Sequence, residues 1–174
     1  MHQNKLKYNV IFIILIISFS CKENTPNELF EIESVSSLTI PAGLNTITTH
    51  IFTLPNITSS LQAQLANKNI KLSDLQSINP KDVQLTALTS NVEYSFLSDI
   101  SVRYVELKDL NQKEIAFLDP VPFNAKSSIH LFPTLVDLKD FFKVDRYNLE
   151  IRIRLREFIP KSVDTRLDLR FAAR

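Results

Sequence analysis

Downstream of the first twenty residues the chain holds two histidines, His50 and His130, on separate segments and with no further histidine or cysteine close to either. A zinc centre needs three or four converging ligands, so both read as strand histidines and no metal site is expected. Asp137, Asp140 and Asp145 come close together, but the glycine and regular acidic spacing of a calcium loop are missing; helix capping and solvation account for them. Gly43 is the only glycine. No serine therefore sits in the glycine-flanked turn that exposes a hydrolase nucleophile, and no glycine-rich loop can cradle a phosphate. Glu93, Asp99, Glu106 and Asp119 offer carboxylates for glycoside cleavage, yet nothing in their spacing selects two of them. These residues point away from an enzyme and from any cofactor. A hydrolase site assembled by the fold from distant positions is the enzymatic alternative.

Two features are suited to recognition instead. Arg152, Arg154 and Arg156, with Arg166 and Arg170, form a basic stripe that could meet an anionic partner or a sugar acid, although acids of alternating position nearby can neutralise it. Tyr94, Phe96, Phe123, Phe132, Phe141 and Phe142 belong either to an exposed recognition patch on loops or to the core. Charge excludes one partner class. The chain has 20 basic and 19 acidic residues, and without Lys5 and Lys7 in the first twenty residues the balance is 18 against 19, so nucleic acid is not a partner.

The elements that must position these groups alternate with a period of two. Glu33 to Ile40 and Leu44 to Leu54 read as strands joined at Pro41-Ala42-Gly43, rich in β-branched residues. Thr58 to Asn67 shifts to helical spacing through Leu61 and Leu65, with Ser59 and Gln62 as a capping box and Asn67-Lys68-Asn69 as a stop. Leu72, Leu75 and Ile78 extend it by a second turn that Pro80 ends. Strands return at 82–87 and 100–105, with a face change at Tyr104-Val105 that either a bulge or a strand buried on both faces would produce. Two shorter strands, 114–118 and 127–132, flank Asp119-Pro120-Val121-Pro122. Thr134 and Asp137 resemble a capping box for a brief helix carrying Leu135, Leu138 and Phe142 on one face.

The clearest pattern is the last. Leu149, Ile151, Ile153 and Leu155 alternate with Glu150, Arg152, Arg154 and Arg156, and Val163 to Phe171 repeats the scheme with Asp164, Arg166, Asp168 and Arg170 outward. Paired as a hairpin around Ile159-Pro160-Lys161, they would set Glu150 opposite Arg170, Arg152 opposite Asp168 and Arg156 opposite Asp164. Seven or so short strands, two helical insertions and no alternation of strand with helix predict an all-β fold, an antiparallel β-sandwich of immunoglobulin-like architecture. A β-barrel remains open, since the cysteine pair and tryptophan of immunoglobulin domains are absent.

The N-terminus supplies an address. Lys5 and Lys7 precede an unbroken apolar run from Val10 to Ile17, then Ser18, Phe19, Ser20 and the single cysteine, Cys21. This is the order of a secretory signal, and the run falls well short of the roughly 20 apolar residues that span a bilayer. Ile17-Ser18-Phe19-Ser20-Cys21 resembles the lipobox of bacterial lipoproteins. The resemblance implies cleavage before Cys21 and lipid on its thiol, giving a signal peptide at 1–20, a lipidated tether at 21–28 and one domain at 29–174. Lys22 stands where an aspartate would retain a lipoprotein in the inner membrane, so the outer membrane is expected. The combined expectation is a non-enzymatic, membrane-anchored envelope module that binds another envelope protein or a glycan through its loops or the insertion at 58–78. A structural accessory subunit of an outer-membrane assembly is the alternative.

Overall fold

Residues 27–174, apart from Ser59, residues 107–110 and Asp145, are described by a computed structural model. The expected signal segment, Cys21 and most of the expected tether lie outside those residues, as does Ser59 of the expected capping box. Eight antiparallel strands follow one another: β1 (Phe30–Ile40), β2 (His50–Thr58), β3 (Ile78–Ala87), β4 (Leu97–Val105), β5 (Gln112–Leu118), β6 (Ser128–Pro133), β7 (Arg146–Leu155) and β8 (Val163–Ala173). They form one nearly closed sheet in the order β1-β8-β3-β6-β5-β4-β7-β2. Its two four-stranded halves, β1-β8-β3-β6 and β5-β4-β7-β2, are stitched by only two residue pairs between β5 and β6. The all-β expectation holds. Each of the eight segments read as strands is one, with β1 and β3 beginning at Phe30 and Ile78, a few residues earlier than the alternation suggested.

Period-two alternation explains the core. Ile32, Leu38 and Ile40 of β1, Val83 and Leu85 of β3, Leu149 to Leu155 of β7 at alternate positions, and Leu167, Leu169 and Phe171 of β8 are all buried inward. The two C-terminal strands are where the sequence placed them, but they do not pair with each other. β7 lies between β4 and β2, and β8 lies between β1 and β3. Residues 156–162 therefore cross from one half to the other, and the apolar faces of β7 and β8 meet across the core instead of side by side. The expected hairpin register is overturned. Burying both apolar stripes against each other satisfies the hydrophobic term that a flat hairpin would leave half exposed.

Smaller differences have local causes. β2 begins at His50, because Asn45 Oδ1 accepts the backbone N–H groups of Ile47 and Thr48 at 2.9 and 2.8 Å and turns the preceding residues into a loop. The helix α1 spans Leu61–Lys68 and ends at Asn69, whose φ of 54° is the left-handed stop that the sequence signalled. A single 3₁₀ turn, Leu72–Asp74, follows it. Pro80 does not end a helix; it lies inside β3, at a register shift between Pro80 and Asp82 where its missing N–H is not needed. The face change at Tyr104-Val105 has its irregularity on the partner strand, where Ile115 is the extra residue between the pairs Val102–Ala116 and Arg103–Glu114.

The helix expected from Thr134 is absent. Thr134 Oγ1 donates to the Glu114 carbonyl at 2.7 Å, and Asp137 Oδ1 accepts the N–H groups of Ile78 and Lys139 at 2.9 and 3.0 Å. The would-be capping groups have tertiary partners, so the segment runs extended until a 3₁₀ turn at Phe141–Lys143. That turn drops Phe142 into the core beneath Tyr104, Tyr147 and Phe171, with ring centroids 6.1, 5.6 and 5.2 Å away. Tyr104 donates its hydroxyl to the Phe141 carbonyl at 2.7 Å.

Candidate functional site

Strand register sorts the loops to two ends. Ile40 faces Val163, Ala87 faces Thr165, Thr86 faces Ser128, Ile100 faces Leu118, Leu97 faces Leu155 and His50 faces Ile153. Loops 41–49, 88–96, 119–127 and 156–162 thus share one end. The opposite end holds Leu29, whose N–H bonds to the Ala173 carbonyl at 2.8 Å, together with α1 and the 134–144 segment. The insertion at 58–78 and these four loops, which the sequence offered as alternative recognition elements, are therefore at opposite ends of the fold.

The six aromatics divide cleanly. Tyr94, Phe96, Phe141 and Phe142 are core; Phe123 and Phe132 are exposed, and Phe132 packs beside Phe117 with ring centroids 6.2 Å apart. At the four-loop end Phe123 is 83% exposed, Phe158 65% and Ile47 87%, with Leu88 also open to solvent. Sequence reasoning missed Phe158 and Leu88, since a lone apolar residue in a polar loop carries no period that says which way it faces, and Ile47 because it was read as part of a strand that begins only at His50.

A cleft of about 650 Å³ opens between residues 89–93 and 159–163 at this end. Its floor is apolar, formed by Phe96, Ile159 and Val163, and its rim carries Asn91, Glu93 and Lys161. The size falls in the range of ordinary ligand pockets. The loops that line it are braced from below. Tyr94 donates its hydroxyl to Thr165 at 3.1 Å, and burial pushes that hydroxyl up to about 12 while the Thr165 bond pulls the other way. Glu93 pairs with Lys126 at 3.0 Å, and the Gly43 N–H reaches the Ile159 carbonyl at 3.2 Å.

The basic stripe is divided between the halves of the sheet and largely neutralised, though in other pairs than the hairpin would have made. Arg152 pairs with Glu150 and also donates to Gln112, Arg154 pairs with Asp99, Arg166 with Asp168 and Arg170 with Asp82. Arg156 alone turns into the four-loop end, where its guanidinium lies 4.0 Å from the Phe123 ring centroid and donates to the Val121 carbonyl. On the outer face of the other half, Asp82 accepts from Arg170 at 2.8 Å and lies 3.0 Å from His130 Nδ1. Partial burial works against the Asp82 charge, but these two partners outweigh it and hold its carboxyl below the usual value.

A depressed carboxyl stabilises the fold above the unfolded-state value of about 3.9 and stops doing so as pH falls through its folded value. Asp82→Asn is expected to lower unfolding free energy at pH 7 by about 0.5–1.5 kcal/mol, as for loss of one partly exposed charged hydrogen-bond cluster. The difference from wild type should shrink progressively as pH falls from about 4 to about 2, as read from urea unfolding curves across that range. A difference that stays constant over the whole range would assign the effect to packing instead.

The remaining sequence candidates stay apart. His50 donates from Nε2 to the Asn45 carbonyl at 2.8 Å at the start of β2, whereas His130 is on β6 in the other half of the sheet. Glu93 and Asp119 belong to the four-loop end, Asp99 to the start of β4 and Glu106 to the far end of that strand. Asp140 pairs with Lys143 at 2.6 Å, and Asp145 lies outside the described residues. Among the described residues no three His, Cys, Asp or Glu side chains gather as metal ligands, and no helix is long and apolar enough to cross a membrane. Comparison with protein-family models and with curated proteins finds no match.

Proposed function

We propose that the chain is a cell-envelope lipoprotein, held in the outer membrane by lipid on Cys21, whose domain binds another envelope protein or a glycan through the four loops remote from the anchor. The observation that carries this reading is polarity. Leu29, next to the tether, is at one end of the strands, while Phe123, Phe158 and the 650 Å³ cleft are at the other. Four exposed apolar side chains beside an open cleft on these loops support a docking surface here, and an anchor at the opposite end would turn it away from the membrane. An immunoglobulin-like sandwich is the architecture we assign to the domain. Its support is the repeated crossing between the four-stranded halves, β1 to β2, β2 to β3, β3 to β4 and then β5 through β8, with β4–β5 as the one full hairpin.

A mild-detergent pull-down of tagged full-length protein from native membranes, beside a soluble form beginning at Leu29, tests the reading. The expected result is one partner recovered with both forms. Recovery of nothing with either form, together with no response on a glycan array, would remove it.

A further inference from the structure

We infer that the partner is a protein, and that it receives the ring of Phe123 in an apolar pocket of its own. This rests on the binding-module reading and names the partner class for the same loops.

Phe123 stands at the tip of loop 119–127, and everything beneath it is fixed. Val121 and Ala125 are buried; the Val121 N–H bonds to the Ser98 carbonyl at 2.8 Å and the Ala125 N–H to the Pro122 carbonyl at 3.0 Å. The Tyr94 N–H bonds to the Lys126 carbonyl at 3.1 Å on the far side of the tip. The Arg156 guanidinium then joins the two parts, stacked under the ring and bonded to the Val121 carbonyl. A large apolar side chain held outward by a rigid loop loses little further freedom on docking. Phenylalanine and arginine are both among the residue types enriched at protein interfaces.

Other occupants match these loops less well. A sugar is best received by exposed aromatic rings that carry a polar handle, but the chain has no tryptophan, and Tyr94, Tyr104 and Tyr147 are all buried. An anionic lipid surface calls for an excess of basic residues. The four loops instead balance Lys126, Arg156 and Lys161 against Glu93, Asp119 and Glu157. A second copy anchored in the same membrane would present its tip in the same direction, so two tips could not meet face to face.

The test uses the full-length protein in its native cells, with photo-reactive benzoylphenylalanine introduced at Phe123 or, as a control, at Leu135, which is 96% exposed at the anchor end. Position 123 is expected to yield one discrete protein adduct that position 135 does not. That protein, purified, should bind the domain with a Kd raised about tenfold or more by Phe123→Ala and unchanged by Leu135→Ala. Phe123→Ala should leave the thermal midpoint unmoved, because the ring is outside the core. A retained pull-down partner with no adduct at 123, an adduct of the chain with itself, or an affinity indifferent to Phe123→Ala would overturn the inference alone. So would Phe123-dependent binding to phosphatidylethanolamine–phosphatidylglycerol vesicles. Loss of the pull-down partner itself would remove the binding-module reading, and this inference with it.

Discussion

Phe142→Ala is expected to reduce the free energy of unfolding by about 3–5 kcal/mol, the range for a fully buried phenylalanine whose cavity cannot collapse. The ring is 1% exposed and touches three other rings from three directions, at interplanar angles of 48°, 61° and 72°. Tilted and edge-on pairs of this kind add attraction beyond area burial, and close packing lets the surrounding side chains relax only partially into the vacated space. Against the 5–15 kcal/mol typical of a domain, such a loss removes a large share of the stability. Urea unfolding should show the midpoint falling at unchanged slope. The matched control is Phe132→Ala, at an exposed ring, for which a change within about 0.5 kcal/mol is expected. Comparable losses at both positions would mean that Phe142 is not the keystone of this cluster.

Cys21→Ser is expected to abolish incorporation of radiolabelled palmitate into the protein and to leave it at precursor size, still carrying residues 1–20. The size of the effect follows from chain chemistry. Each buried methylene contributes about 0.8 kcal/mol, one myristoyl-length chain gives only marginal binding, and the several chains of a lipoprotein give stable attachment. With no thiol there is nothing to acylate, and the chain holds no second cysteine to substitute. Labelled gels of wild type and variant decide the matter. A wild type without label, or a variant with as much label as wild type, would sink the proposed anchor while leaving the fold untouched.

What the sequence revealed and what it concealed have the same origin. Alternation at 149–155 and 163–171 reports which side of a strand meets the core, and there it was right at every apolar position. It says nothing about which strand lies alongside. The outward arginines and acids of those two strands fit one another on paper, yet Arg154 found Asp99 and Arg170 found Asp82, because surface charge pairing is worth too little to choose a neighbour against the packing of two apolar faces. The helix expected at Thr134 failed for a related reason: a capping side chain bonds whatever N–H or carbonyl the fold brings near, and here those came from β3 and β5. Phe123 was legible as an aromatic on a loop, but its outward direction depends on Arg156, thirty-three positions later, and on the buried flanking residues Val121 and Ala125. Pro80 illustrates the converse. Read locally it is a breaker, whereas the bulge that accommodates it also swings Lys81 outward to Glu28 and Glu31, tying the start of the domain to β3.

The pairing of β1 with β8 runs unbroken from Phe30–Ala173 to Ile40–Val163, and it joins the strand nearest the tether to the last strand of the chain. In the proposed arrangement, with the anchor at one end of β1 and the partner on the loops at the other, tension between membrane and partner would run parallel to that ladder. Its backbone bonds would then share the load in shear and would have to fail together, instead of opening one after another as they do when a hairpin is peeled. Resistance of that kind is set by the rate of unfolding under force and not by equilibrium stability alone. A fold whose eleven-residue seam lies along the line of pull is built to stay closed while it is held at both ends.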